Sequence, residues 1–356
     1  MKSFQVQNLS SLLRIFTLSF FVSFLFNAQT AFAADTPQLS GSLASLGAGT
    51  YPRATVLHDG TLLGGFTALD GATHILRIVH SSDGGVTWNQ RGEVARGAND
   101  LDNTYMIQLP SGRVLAAFRN HDNNRKYFRI TVCYSDDTGA NWAFLSTPAE
   151  NPGTVNGLWE PFLRLSNSGV LQLYYSRENA GNDQDSLLRT STNGGVTWSA
   201  PTTISGSGVT ARDGMVGVAN AGGNRLVAVF ETTQGVNGQF VIDAITSNDD
   251  GLTWSSARTR VYTPTARNAG APQIVNVGGT LAVSFMTDED TSSAHVWPAQ
   301  AAAKVVTSVD GGAKWGNKVT VGPTASLWPG MVGLNGSTFL ALFEHQGAQA
   351  QRVVLV

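Results

Sequence analysis

One eight-residue pattern, Ser-x-Asp-x-Gly-x-x-Trp, occurs five times with small variations: SSDGGVTW at 81–88, SDDTGANW at 135–142, STNGGVTW at 191–198, SNDDGLTW at 247–254 and SVDGGAKW at 308–315. Its tryptophans recur after 54, 56, 56 and 61 residues. A near-constant period of that size marks a repeated supersecondary unit, either a propeller blade or a solenoid coil. Each copy has the chemistry of a tight hairpin turn. The Asp or Asn accepts hydrogen bonds from the amides just after it, the Gly supplies a positive φ, and the Trp covers the turn.

A second repeat sets the copy number. Six hairpins read turn, Gly, apolar run, aromatic, and end at Phe66, Phe118, Tyr174, Phe230, Phe285 and Phe343. A further short apolar run separates each aromatic from the next eight-residue turn, so each period holds four strands, as a propeller blade does. The sixth unit lacks the turn and has about three strands before the chain ends at Val356. The expected fold is all-β: a six-bladed β-propeller of four-stranded antiparallel blades, closed by the N-terminal segment 37–46. A parallel β-helix is the alternative, but its coils are much shorter than this period.

Residues 1–34 read as a secretory signal peptide. Lys2 and Arg14 precede the apolar stretch 15–26, and Ala31-Phe32-Ala33 offers small residues for cleavage. The remaining 35–356 is expected to be a single domain, secreted to an extracellular or periplasmic space. With net charge -2 there is no basic field to attract nucleic acid or an anionic membrane. Only 13% of residues are charged and 39 are glycine, a strand-and-turn composition. The single Cys133 excludes an intramolecular disulfide and reads as a buried, inert thiol. No zinc-ligand spacing, P-loop or Rossmann glycine pattern is present, so no metal or cofactor is expected. No interface signature stands out, which makes a monomer the expectation.

Blade geometry decides which side chains meet. The inner strand of a blade starts at one face and the second strand returns to it. The eight-residue turns lie on the opposite face and are read as structural. The residues ending second strands are Thr67, Arg119, Tyr175, Glu231, Met286 and Glu344; those opening inner strands are Arg53, Asp102-Asn103, Glu160, Asp213, Pro272 and Trp328. This rim gathers five carboxylates, two arginines, a tyrosine and a tryptophan, a lining suited to a sugar. Glu160 and Glu231, from neighbouring blades three and four, are the favoured pair. Each sits beside bulky apolar residues that would lift one carboxyl while nearby arginines keep the other ionised, as glycoside hydrolysis requires. Rim salt bridges alone are the competing account. Glu178 and Asp183 are placed to line subsites, His121 reads as a sugar contact or a solvated loop residue, and Asp288-Glu289-Asp290 as a cation site or merely a solvated cluster.

The rim segments resemble glycoside hydrolase family 93, the exo-acting α-1,5-L-arabinanases among the sialidase-like propellers. The resemblance runs from about residue 45 to the C-terminus. It rests on Tyr51-Pro52-Arg53-Ala54, Phe118-Arg119-Asn120-His121-Asp122, Leu158-Trp159-Glu160-Pro161-Phe162-Leu163, Arg212-Asp213-Gly214-Met215, Val229-Phe230-Glu231, Ala269-Gly270-Ala271-Pro272-Gln273, the segment 284–290 and Trp328-Pro329-Gly330. It implies a retaining enzyme that releases arabinobiose from the non-reducing end of linear arabinan, with Glu160 as general acid/base and Glu231 as nucleophile. The expected substrate-binding set is Arg53, Asn120, His121, Asp122, Trp159, Tyr175, Glu178, Arg212, Asp213 and Trp328. Two other readings stand beside it. A sialidase would use Arg53, Arg119 and Arg212 as a carboxylate-binding cluster, yet the late rim positions carry no guanidinium. A non-catalytic carbohydrate-binding propeller would need the aromatics but not both glutamates.

Overall fold

The computed structural model describes residues 35–122, 126–153, 156–292 and 297–356. The expected signal peptide lies outside them. After β1 (Pro37–Gly47), blade one is β2 (Thr50–Val56), β3 (Leu62–Asp70), β4 (Thr73–Ser81) and β5 (Asn89–Gly97). Blade two is β6 (Asp100–Gln108), β7 (Val114–His121), β8 (Tyr127–Ser135) and β9 (Ala143–Pro152). Blade three is β10 (Leu158–Leu165), β11 (Leu171–Ala180), β12 (Asp183–Ser191) and β13 (Thr202–Ser205). Blade four is β14 (Gly214–Asn220), β15 (Leu226–Thr232), β16 (Val241–Ser247) and β17 (Thr259–Tyr262). Blade five is β18 (Ala269–Val277), β19 (Thr280–Thr287), β20 (Ala302–Ser308) and β21 (Gly316–Gly322). Blade six is β22 (Leu327–Asn335), β23 (Thr338–Glu344) and β24 (Ala348–Leu355), completed by β1, which pairs antiparallel with β24. The six-bladed propeller and its N-terminal closing strand are thus as the sequence predicts. Among the described residues no helix is long and apolar enough to cross a membrane.

Each blade buries apolar residues on both faces, so the hydrophobic core is divided among the blade interfaces. One cluster fills each: Leu63, Ile78 and Phe118 between blades one and two, Leu115, Leu173 and Tyr175 between two and three, Tyr174, Val218 and Phe230 between three and four. Val229, Ile274 and Phe285 follow between four and five, Val305, Phe339 and Phe343 between five and six, and Leu46, Phe66 and Leu342 where the ring closes. Burial of this apolar area is the main force holding neighbouring blades together.

The eight-residue turns join the third and fourth strands of blades one to five. In the first, Ser81 Oγ takes the Gly85 amide at 2.8 Å and Asp83 Oδ1 takes the amides of Val86 and Thr87, both at 3.0 Å. The five glycines hold φ between 88° and 91° (Gly85, Gly139, Gly195, Gly251 and Gly312), a region costly for any side chain. Four indoles donate to the carbonyl of that glycine at 3.0–3.1 Å.

The inner strands share one irregularity. Each carries a bulge near its start, at Thr50/Arg53, Asp102/Tyr105, Trp159/Phe162, Gly214/Gly217, Gly270/Gln273 and Leu327/Gly330. In each, one non-glycine residue adopts a left-handed backbone: Tyr51 (φ 51°), Asn103 (57°), Glu160 (42°), Met215 (54°), Ala271 (52°) and Trp328 (52°). Such positions cost on the order of 1–3 kcal/mol each and persist only where the surrounding structure enforces them. Pro52, Pro161, Pro272 and Pro329 follow four of these residues. Proline has no N–H, so the rung that the bulge removes from the ladder leaves no donor unsatisfied there.

Candidate active site

The six left-handed residues converge on the axis and floor a well on the face where the inner strands begin. Tyr51, Met215 and Ala271 pack there with Met286 and Ala301, and Trp297 and Trp328 lean against them. Tyr51 and Trp328 stack with ring centroids 4.6 Å apart and planes at 18°, giving blades one and six a shared aromatic wall. Glu160 is the one carboxylate in the ring. Glu231 lies near the end of β15 in the adjacent blade, and its negative charge is felt by Glu160.

The two carboxyls have different surroundings. Both lie deep in the well yet keep a solvent-accessible face. Burial pushes the Glu160 carboxyl up to about 8; Arg119 opposes this, and the charges of Glu231 and Glu178 add to it. Among the described residues none donates a hydrogen bond to its oxygens. Glu231 is also raised by burial, but there the Ala271 amide and Arg212 favour the ionised form. That amide donates to Glu231 Oε2 at 2.7 Å. A Cβ on Gly270 would sit 2.6 Å from the same oxygen and 2.9 Å from the Trp297 ring, so glycine is what lets blade five approach.

Charged groups on the blade-two and blade-three side are locked in place. Arg119 bonds Asp100 at 2.9 Å, Asp102 at 3.2 Å and Asn103 Oδ1 at 2.9 Å, and lies 5.3 Å from the Trp159 ring and 5.9 Å from the Tyr51 ring. Arg212 bonds Glu178 at 3.0 Å and Gln184 at 2.6 Å. Glu178 also accepts the Gly157 amide at 3.0 Å. Of the expected substrate-binding residues, Glu178, Arg212, Trp159 and Trp328 are the ones placed around Glu160 and the axial ring.

Six expected contacts are corrected. Tyr175 is 2% exposed and belongs to the core between blades two and three. In register it matches Phe66, Phe118 and Phe230, and the residue that reaches the rim is Ser176, opposite Trp159. The first member of the Tyr174-Tyr175 pair had stood for the repeat aromatic, a slip of one residue that reverses the facing. Asp213 is fully buried, bonded to Arg258 at 2.6 Å and Ser205 at 2.5 Å; Met215 occupies the ring position in blade four. Arg53 lies under the floor, where it donates to the carbonyls of Pro52 at 2.8 Å and Trp328 at 3.1 Å; Tyr51 holds the ring position above it. His121 is buried, with Nε2 2.6 Å from the Leu158 carbonyl and its ring edge-on to Trp159, so it props that indole from behind. Asn120 is turned into its blade toward Thr131 at 3.2 Å, and Asp122 pairs with Arg129 at 2.8 Å.

Asn103 was placed on the rim from the sequence; Tyr51, Met215 and Ala271 were named only within the resembling segments and given no role, and Trp297 went unnoticed. The X-Pro step at the start of four inner strands was the available signal. The acidic cluster is filled by lysines: Glu289 by Lys304 and Lys318, and Asp290 by Lys304. Among the described residues no group of His, Cys, Asp or Glu is arranged to hold a metal ion.

No protein-family model matches the chain, and no curated protein matches it in sequence. Solved structures do. The α-L-arabinofuranosidase of Fusarium graminearum, in complex with an iminosugar inhibitor, aligns with a TM-score of 0.72 at 21% identity, over 89% of this chain and 98% of that one. The α-L-arabinanase of Penicillium chrysogenum, complexed with arabinobiose, aligns with a TM-score of 0.70 at 19% identity, over 89% and 98%. The likeness is one of fold. It extends to a Hadza microbial sialidase with a TM-score of 0.65 at 16% identity, over 86% of this chain and 66% of that one.

Proposed function

We propose that the protein is a retaining glycoside hydrolase that releases arabinobiose from the non-reducing end of linear α-1,5-L-arabinan. The observation carrying this is the unequal pair on the axis. Glu160 holds its proton near neutral pH, and among the described residues none donates a hydrogen bond to its oxygens. Glu231 has one oxygen tied to the Ala271 amide, which leaves the other for attack. Glu231 would attack the anomeric carbon as the bond to the leaving oxygen breaks and the Glu160 proton moves to that oxygen. Bonding to the sugar removes the charge of Glu231, and with it one of the interactions that raise Glu160. Glu160 then takes a proton from water, whose oxygen displaces Glu231 from the sugar.

The substrate class is supported by fold-level likeness to arabinan-acting enzymes, one of them holding arabinobiose. It is supported too by a wall of stacked aromatics with few free charges, suited to a neutral sugar. The guanidiniums that a sialidase would use are engaged elsewhere: Arg119 by two aspartates, Arg212 by Glu178, and Arg53 by two carbonyls. In this reading residues 1–34 are removed on export and the propeller acts as a secreted monomer.

The test is product analysis on debranched linear arabinan with sialyl-lactose alongside. Arabinobiose as the sole early product supports the reading. Free sialic acid transfers the protein to the sialidases, and a ladder of longer products overturns exo-action. Glu231→Gln should lower kcat by about a thousandfold or more with the fold intact; activity near wild type removes it as nucleophile.

A further inference from the structure

A cavity of about 430 Å3 lies between blades two and three. That lies at the lower end of the roughly 300–1,000 Å3 of small-ligand sites, room for a short run of sugar units. Its inner wall includes Leu158, two residues before Glu160, and Glu178, whose charge Glu160 feels. Its outer wall includes Glu150, Arg177 and Arg189.

Among the described residues these groups are half used. Arg177 donates through Nε to Asn179 and through Nη2 to Asp185, both at 3.2 Å, which leaves Nη1 without a partner there. Arg189 donates through Nε to the Tyr175 hydroxyl at 3.3 Å and through Nη1 to the Ser199 carbonyl at 2.7 Å, leaving Nη2. Glu150 accepts the Tyr127 hydroxyl on one oxygen and keeps the other. Two cations, Arg177 and Arg189, set against two carboxylates, Glu150 and Glu178, give no net positive field for an anion. Free donors and an acceptor on a charge-balanced wall suit hydroxyl groups.

The position supplies the direction. Acid and nucleophile flank the anomeric carbon, so the leaving oxygen lies on the Glu160 side. The cavity lies on that side: Glu178 lines it and acts electrostatically on Glu160, and none of its lining residues comes from blade four, which carries Glu231. We propose that it binds the leaving part of the glycan, the sugar units beyond the bond that Glu160 protonates. This rests on the glycosidase reading above. It makes the cavity the determinant of preference for longer chains.

The experiment compares kcat/KM for linear α-1,5-linked arabinohexaose and arabinotriose in the wild type, Arg177→Ala and Asn179→Trp. The tryptophan, introduced at an exposed lining position, obstructs the cavity without removing an ion pair. The hexaose-to-triose ratio should fall by about tenfold in both variants, through KM, with melting curves unchanged. A wild-type ratio in folded Asn179→Trp overturns the assignment. Failure of the wild-type protein to cleave either oligosaccharide overturns the glycosidase reading, and this inference with it.

Discussion

At the scale of single residues, the decisive fact is a carboxyl that stays protonated where most carboxyls are ionised. An ordinary glutamic acid loses its proton near pH 4.5, whereas folded Glu160 holds it to about 8. Between those values the folded chain binds a proton that the unfolded chain has given up, so this group makes stability fall as pH rises across that window. One proton limits the slope to about 1.4 kcal/mol per pH unit. Glu160→Gln has no charge to bury. Its melting temperature should decline less than that of the wild type from pH 5 to 8, and parallel curves would show that Glu160 titrates normally. Other residues were harder to read from sequence than this one. His121 follows Arg119 by two positions and looked equally available, yet it is enclosed by Phe128, Trp159 and the Leu158 carbonyl. Nothing in its own segment announces those partners, because two of them come from the next blade.

At the scale of elements, the eight-residue turns divide structure from chemistry. Asp83 receives two amides and the hydroxyls of Thr87 and Ser81, bonds that hold its carboxyl well below the usual range. Asp83→Ala should lower the melting temperature by a few degrees and leave turnover unchanged. Lost activity with unchanged melting would give the turn a part in catalysis. These turns were legible because their hydrogen bonds are local: donor, acceptor and glycine fall within eight residues. The inner strands were less so. Their place at the opening of inner strands put Arg53 and Asp213 on the rim, whereas the axial positions belong to the left-handed bulge residues Tyr51 and Met215. Glu160 and Trp328 were found because they are the bulge residues themselves.

At the scale of the whole molecule, ring closure joins the two ends of the described chain. β1 pairs with β24 from Pro37↔Leu355 to Gly47↔Ala348, and Leu46 packs between blades six and one. Without β1, blade six would present a bare edge and the seam would lose part of its core. Removing residues 35–47 should lower the melting temperature further than Asp83→Ala does and promote association through the exposed edge. Calorimetry with light scattering tests this, and unaltered scattering with wild-type melting would show that closure contributes nothing. The intact ring also bears on how such a site can change. Tyr, Asn, Glu, Met, Ala and Trp occupy the same backbone bend at the axis, so that bend tolerates very different side chains. The blades supply a socket and leave its contents open. Single substitutions at Met215 or Ala271 can therefore redirect what the well accepts while every blade keeps its shape, which gives this architecture a short mutational route from one ligand to another.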